Sequence, residues 1–226
     1  MHKSTNYNKC FRKSREVSET MKKLRETIRR VILEEVCAGA SAKIQQGLDE
    51  IEKRNLEIKV QIFSDGYDIT LHEVESQREV GQFEVTSSRL CPAYITTWTE
   101  VNPKLKGTGI GAVLYDVAVE VATTLQVYLA CDRGTVSDDA KPMWRYFDAS
   151  DDYEAFQMDT RNGYFTPKNP ADDCKQTVFH RDLNIPHDTE PDTYKEEFMA
   201  SPFTKAYKKK RMTTIECLGD RYSEEM

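Results

Sequence analysis

Four stretches in succession between residues 57 and 101 alternate apolar and polar residues with a period of two, and the turns between them are short. They run over 57–63 (EIKVQIF), 67–74 (YDITLHEV), 79–85 and 93–101. That period puts alternate side chains on opposite faces of a strand, so each stretch predicts a strand with one buried face. Ser64-Asp65-Gly66 joins the first two, and Asp-Gly supplies the positive φ of a tight hairpin. Strands joined so closely pair antiparallel, because a parallel crossover needs a dozen or more residues. The expectation is a meander, which excludes a doubly wound parallel sheet at the centre of the chain.

The last of these strands ends at Pro103, which has no N–H to give to a ladder. Three glycines follow in Lys106-Gly107-Thr108-Gly109-Ile110-Gly111-Ala112, and an amphipathic helix is expected from there to about residue 124. Strand, tight turn and helix in immediate succession point several N–H groups outward at the positive end of a helix dipole. That is a cradle for a phosphate or pyrophosphate, and glycine lets the ligand come close. Three phosphate loops compete for the pattern. The dinucleotide fingerprint needs a third glycine where Ala112 stands, and a parallel βαβ setting that the meander does not offer. The P-loop needs Gly-Lys-Ser/Thr after its second glycine, which is absent.

Helical spacing flanks this centre. Val17, Met21, Leu24, Ile28 and Val31 form one stripe, Ala38-Gly39-Ala40-Ser41 breaks it, and Ile44, Leu48 and Ile51 form a second. Downstream, 127–131 (VYLAC) reads as a buried strand. A helix is expected over 138–147, with Ser137 as its N-cap and Pro142 marking where regular helix begins. Late strands are expected over 153–158 and 176–183. Beyond Asn184 the chain is polar, with Pro186, Pro191 and Pro202, and reads as an extended tail. The division is a basic helical extension (1–55), a core (56–183) and a polar tail (184–226), in a mixed α+β fold with a mostly antiparallel twisted sheet flanked by helices.

The glycine stretch resembles motif A of the GNAT superfamily of acyl-coenzyme A transferases, Arg/Gln-x-x-Gly-x-Gly/Ala, with Lys106, Gly109 and Gly111 in the patterned positions. The order of elements from Leu56 to Leu183 is similar to that family's: strands, motif A and its helix, a strand, a helix and two final strands. Asp132-Arg133-Gly134, followed by a helix with Trp144 and Tyr146, also resembles acetyltransferase-like proteins of tailed phages.

The resemblance implies a coenzyme A pyrophosphate held by the main chain of Lys106, Gly107, Thr108, Gly109, Ile110, Gly111 and Ala112. It implies a pantetheine arm paired with Thr99, Glu100 and Val101, and a slot where the strand before the loop parts from 127–131. Ser137 stands where relatives carry Asn and would touch the coenzyme. Trp144 stands where relatives carry the tyrosine that reprotonates the thiolate, and indole cannot do so; Tyr146 is the substitute to test, about 200° round the helix. Glu100 is the candidate base. The implied reaction is transfer of acetyl from acetyl-CoA to an amine on a protein, a small molecule or a nucleobase. The alternative is a GNAT-like module, virion-associated or otherwise, that binds without turnover.

Composition adds limits. The net charge is −6, yet residues 1–30 hold ten Lys/Arg against three Glu, a net of +7. A second basic run, KAYKKKR, covers 205–211. Either could draw a nucleic acid, though solvated faces explain both as well. The N-terminal stripes could also pair two copies of the chain. No apolar run approaches the roughly 18 residues of a membrane span. Six scattered cysteines and four scattered histidines show no metal-ligand spacing, so no metal is expected. With no apolar h-region near the start, the expectation is a soluble, cytoplasmic protein with reduced thiols.

Overall fold

The computed structural model describes Met21, Cys37 and residues 40–88, 92–159, 164–165 and 199–225. Helix α1 (Ala42–Lys53) starts where the Ser41 hydroxyl accepts from the Ile44 N–H at 3.3 Å, a side-chain cap that ends the small-residue run. Its Ile44, Leu48 and Ile51 are buried, as their spacing predicts. The earlier stripe lies outside the described residues except for Met21, which is exposed.

The meander forms as β1 (Leu56–Phe63), β2 (Gly66–Glu73), β3 (Glu79–Ser87) and β4 (Tyr94–Val101), each antiparallel to the one before. Ile58, Ile69 and Phe83 are fully buried on one face, while Lys59, Thr70 and Gln82 are partly covered on the other. A 3-10 turn (Pro103–Leu105) leads through the glycines into α2 (Ile110–Thr124). Then come β5 (Leu129–Cys131), α3 (Lys141–Ala149) with Pro142 in its first turn, and β6 (Tyr153–Phe156). Strands β7 (Met158–Asp159) and β8 (Tyr164–Phe165) make a separate pair.

The expected tail is not a tail over residues 199–225. It supplies β9 (Ala206–Lys209), α4 (Thr214–Leu218) and β10 (Tyr222–Glu225). The result is a mixed α+β fold around an eight-stranded, mostly antiparallel sheet of order β10-β1-β2-β3-β4-β5-β9-β6. Its parallel pairs are β1 with β10 and β4 with β5. The partner of β6 is therefore β9; the strand expected over 176–183 lies outside the described residues. The core accordingly runs past 183 and also takes in α1, so neither expected boundary separates packed from unpacked chain.

Much of the basic run 205–211 is engaged within the fold, while Lys210 and Arg211 are exposed. Lys205 Nζ lies 2.6 Å from Asp148 Oδ1, Lys208 Nζ lies 5.7 Å from the Tyr128 ring centroid, and Lys210 Nζ donates to the Asp151 carbonyl at 2.7 Å. Lys209 is buried, with Nζ 2.5 Å from Asp116 Oδ2 and 2.7 Å from Glu120 Oε1. Both acids sit on α2, a helix with twelve of its fifteen residues buried, and a helix buried all round must satisfy its polar groups internally. Asp116 also accepts from the hydroxyls of Tyr153 and Thr214. Glu120 accepts the N–H groups of Thr213, Thr214 and Ile215 at 2.7–2.8 Å and so caps α4.

Two close approaches complete the packing. Gly109, at φ +88°, lies against α1: a Cβ there would fall 2.5 Å from the Lys43 carbonyl oxygen and 2.7 Å from the Gly47 nitrogen. A Cβ on Gly47 would fall 2.6 Å from both the Gly109 carbonyl carbon and Val113 Cγ2. Cys37 and Cys217 form a disulfide, their Cα atoms 5.7 Å apart across a separation of 180 residues. This corrects the expectation of reduced thiols, because folding brings together two cysteines whose spacing carried no signal. Among the described residues no helix is long and apolar enough to cross a membrane.

Burial alone would lower the Lys209 ammonium, but the charges of Asp116 and Glu120 outweigh it and raise its pKa. A raised folded-state pKa stabilises fully below the unfolded value, about 10.4, and the contribution is lost as pH rises through the folded one. Unfolding in denaturant should therefore show this contribution intact through neutral pH and lost only at strongly alkaline pH. Lys209→Met, which strands two buried carboxylates, should cost about 3–5 kcal/mol in the same measurement at pH 7. Gly47→Ala should lower stability by about 1–3 kcal/mol through overpacking against Gly109.

Candidate functional site

Strands β4 and β5 stay together for three register pairs only: Tyr94 with Leu129, Ile95 with Ala130 and Thr96 with Cys131. Beyond Thr96, β4 continues to Val101 against β3 alone. After Cys131 the chain turns at Asp132, whose Oδ1 accepts from the Gly134 N–H and whose Oδ2 accepts from the Thr135 hydroxyl, both at 2.8 Å. Arg133 is fully buried and its guanidinium donates to the Thr204 carbonyl. The β3–β4 register also slips here. Glu84 faces Trp98 and Val85 faces Thr96, which leaves Thr97 as an extra residue on β4. Such a bulge bends its strand, and it sits where the two strands part.

The parting encloses a slot of about 390 Å³, lined among others by Thr96, Trp98, Thr99, Tyr115, Cys131 and Trp144. The glycine loop follows the end of β4 in the chain, though none of residues 106–112 lines the slot. Gly107 and Gly109 have φ +79° and +88°, and no side chain caps α2. The first bond of that helix is from the Val113 N–H to the Gly109 carbonyl, at 3.2 Å. The N–H groups of Ile110, Gly111 and Ala112 are therefore first-turn donors with no intrahelical partner.

The cradle is narrower than the resemblance implies. The N–H groups of Lys106 and Thr108 bond back to the carbonyls of Pro103 and Leu105, each at 3.3 Å. Gly109 is closed from behind by α1, whereas a Cβ on Gly107 or Gly111 would meet nothing within 4 Å. The Ile110 and Ala112 side chains are buried, so only their main chains are available. Lys106 Nζ lies 2.9 Å from Asp139 Oδ2, an exposed pair worth little that leaves the ammonium near the loop.

The other expected site residues divide. Thr99 and Ser137 line the slot, and Ser137 Oγ also accepts the Ala140 N–H at 3.2 Å. Val101 pairs with Gly81 and packs on the core. Glu100 is exposed and is not among the residues lining the slot. Tyr146 is not in the slot either. Trp144 lines it, and Tyr146 lines a second hollow with Asp116, Tyr153 and Lys209. Residues two apart on a helix point about 200° from each other.

The phenol that does line the slot is Tyr115, 6% exposed, edge-on to Phe83 at 4.7 Å and to Trp144 at 5.7 Å. Burial pushes its hydroxyl up to about 12, only partly offset by the nearby Thr99 hydroxyl. It is therefore neutral and a potential proton donor at physiological pH. Sequence reasoning missed it, although Tyr115 follows Gly111 by four residues and so shares its helix face. Thr96, also missed, is buried and its hydroxyl has no hydrogen-bond partner. The buried Cys131 thiol donates to the Phe203 carbonyl at 3.0 Å. Among the described residues no group of three or more His, Cys, Asp or Glu is placed to hold a metal. No family model, curated protein or solved structure matches this chain.

Proposed function

We propose that this chain is an acyltransferase that moves an acetyl group from acetyl-CoA to an amine by direct attack within a ternary complex. One observation carries the reading: β4 parts from β5 to open a slot, and the same strand leads into a glycine loop and a helix whose first three N–H groups have no intrahelical partner. The N–H groups suit a pyrophosphate. The edge of β4 beyond Thr96, which has no ladder partner on the β5 side, suits an extended amide arm in the manner of an added strand. The slot then receives the thioester, and holding it beside the amine supplies most of the rate advantage. The sequence of strands, glycine turn, helix, strand and helix supports the same reading.

In the transfer the amine nitrogen bonds to the acetyl carbon and the carbon–sulfur bond breaks. Tyr115, rather than Tyr146, gives its proton to the leaving thiolate, because it is the phenol in the slot. The phenolate is reprotonated from solvent. The proton released by the amine leaves through water on the sheet face where Glu100 is exposed.

Calorimetric titration with acetyl-CoA should give micromolar binding. Gly111→Asp should weaken it at least tenfold without loss of fold, since a side chain there enters open space. Gly109→Ala is unsuitable for that test, because it clashes with α1. Tyr115→Phe should leave the coenzyme affinity within twofold and slow thiol release by about 10²-fold or more. No binding at millimolar coenzyme would overturn the proposal. Binding with no thiol release from any amine would support the non-catalytic module instead.

A further inference from the structure

The hollow that takes Tyr146 has a volume of about 330 Å³. Its floor is charged: Asp116 lines it, and so does Lys209, whose side chain is only 5% exposed. Its rim comes from two segments far apart in sequence. Ala40 and Ser41 bring the start of α1, and Thr213 and Glu216 bring α4. Among the described residues no hydrogen bond or ion pair joins residues 40–44 to residues 211–217.

The bond that does span the rim is the Cys37–Cys217 disulfide. Each half of it is fastened to a residue of the hollow. The Cys37 carbonyl accepts the Ala40 N–H at 3.0 Å, and the Cys217 N–H donates to the Thr213 carbonyl at 3.0 Å. Both cysteines are partly exposed, unlike the buried Cys131, so a thiol in solution can reach them. Each side of the rim also has an anchorage that does not need the disulfide. Helix α1 seats Gly47 against Gly109, and α4 hangs its first N–H groups on Glu120. Breaking the disulfide therefore parts the rim while leaving the sheet in place.

We infer that the Cys37–Cys217 disulfide is a redox-sensitive latch that closes the hollow over Asp116 and Lys209, and that thiol reductants open it. Two thiols are consumed. The first, as thiolate, attacks one cystine sulfur and displaces the other cysteine, which takes up a proton. The second attacks the mixed disulfide and displaces the cysteine held there. Two electrons and two protons pass to the protein, Cys37 and Cys217 end as thiols, and the reductant ends as its own disulfide. With the rim parted, water competes for the Glu120 carboxylate that holds the start of α4, so the loosening is local to that helix.

The test treats the whole protein with reduced glutathione at neutral pH, without denaturant. Alkylation mapped by mass spectrometry reports the state of Cys37 and Cys217, and hydrogen exchange reports the amides. Both cysteines should be protected from alkylation before treatment and alkylated after it. The amides of Thr213, Thr214 and Ile215 should then exchange roughly tenfold faster or more, while those of β1 to β4 stay within about twofold. Reoxidation should restore the slow exchange. The double variant Cys37→Ser, Cys217→Ser should exchange like the reduced protein, with or without glutathione. Cysteines alkylated before reduction, or a disulfide that yields only once the chain is unfolded, would overturn the inference. So would full reduction that leaves exchange at α4 unchanged. Exchange accelerated throughout the chain would make the disulfide a structural staple and overturn the latch as well.

Discussion

The Lys209 ammonium, held between Asp116 and Glu120, is the contact on which the rest of the architecture depends. Helix α2 carries two acids into a wholly buried environment, where an unpaired charge costs several kcal/mol. The chain answers with one lysine, two hydroxyls and three backbone N–H groups, drawn from β6, β9 and the start of α4. That demand holds β9 in the sheet between β5 and β6. With β9 pairing one edge of β5, the other edge is free to meet β4 for three residues and then part from it. The slot therefore follows from a charge cluster on the far side of α2.

A second constraint acts at the start of the same helix. Gly109 and Gly47 let α1 and the glycine loop approach to backbone contact, which fixes where α2 begins. Gly107 and Gly111 face open space instead. One loop thus packs closely on one side and is open on the other, and its three glycines are not equivalent. The helix α3 divides the surroundings similarly. Trp144 walls the slot and Tyr146 walls the hollow beside the Asp116–Lys209 cluster, so the proposed proton donor comes from α2 and not from α3.

The two faces of the sheet complete the functional reading. On the helix side, Tyr115, Thr96 and Thr99 give the slot a mostly neutral, hydroxyl-bearing wall. The opposite side carries Trp98, Glu84, Asp68 and Glu100. The bulge at Thr97 lies at the join, where the strand changes which neighbour it serves.

Much of this was legible from local pattern. The period of two and the Asp-Gly turn predict β1 to β4 within a residue or two, because alternation and hairpin geometry are properties of adjacent residues. The glycine loop, α2 and the opposite directions of Trp144 and Tyr146 follow for the same reason, and the face shared by Gly111 and Tyr115 was there to be read. What the tertiary structure alone decided is long-range. A strand written AYKK reads as a polar tail until Asp116 and Glu120, some 90 residues earlier, are placed beside Lys209. The Cys37–Cys217 pair and the use of Gly109 for packing are equally invisible. Local sequence determines periodicity and turn conformation; whether a charge is buried, and which partner neutralises it, depends on the distant segments that folding brings alongside.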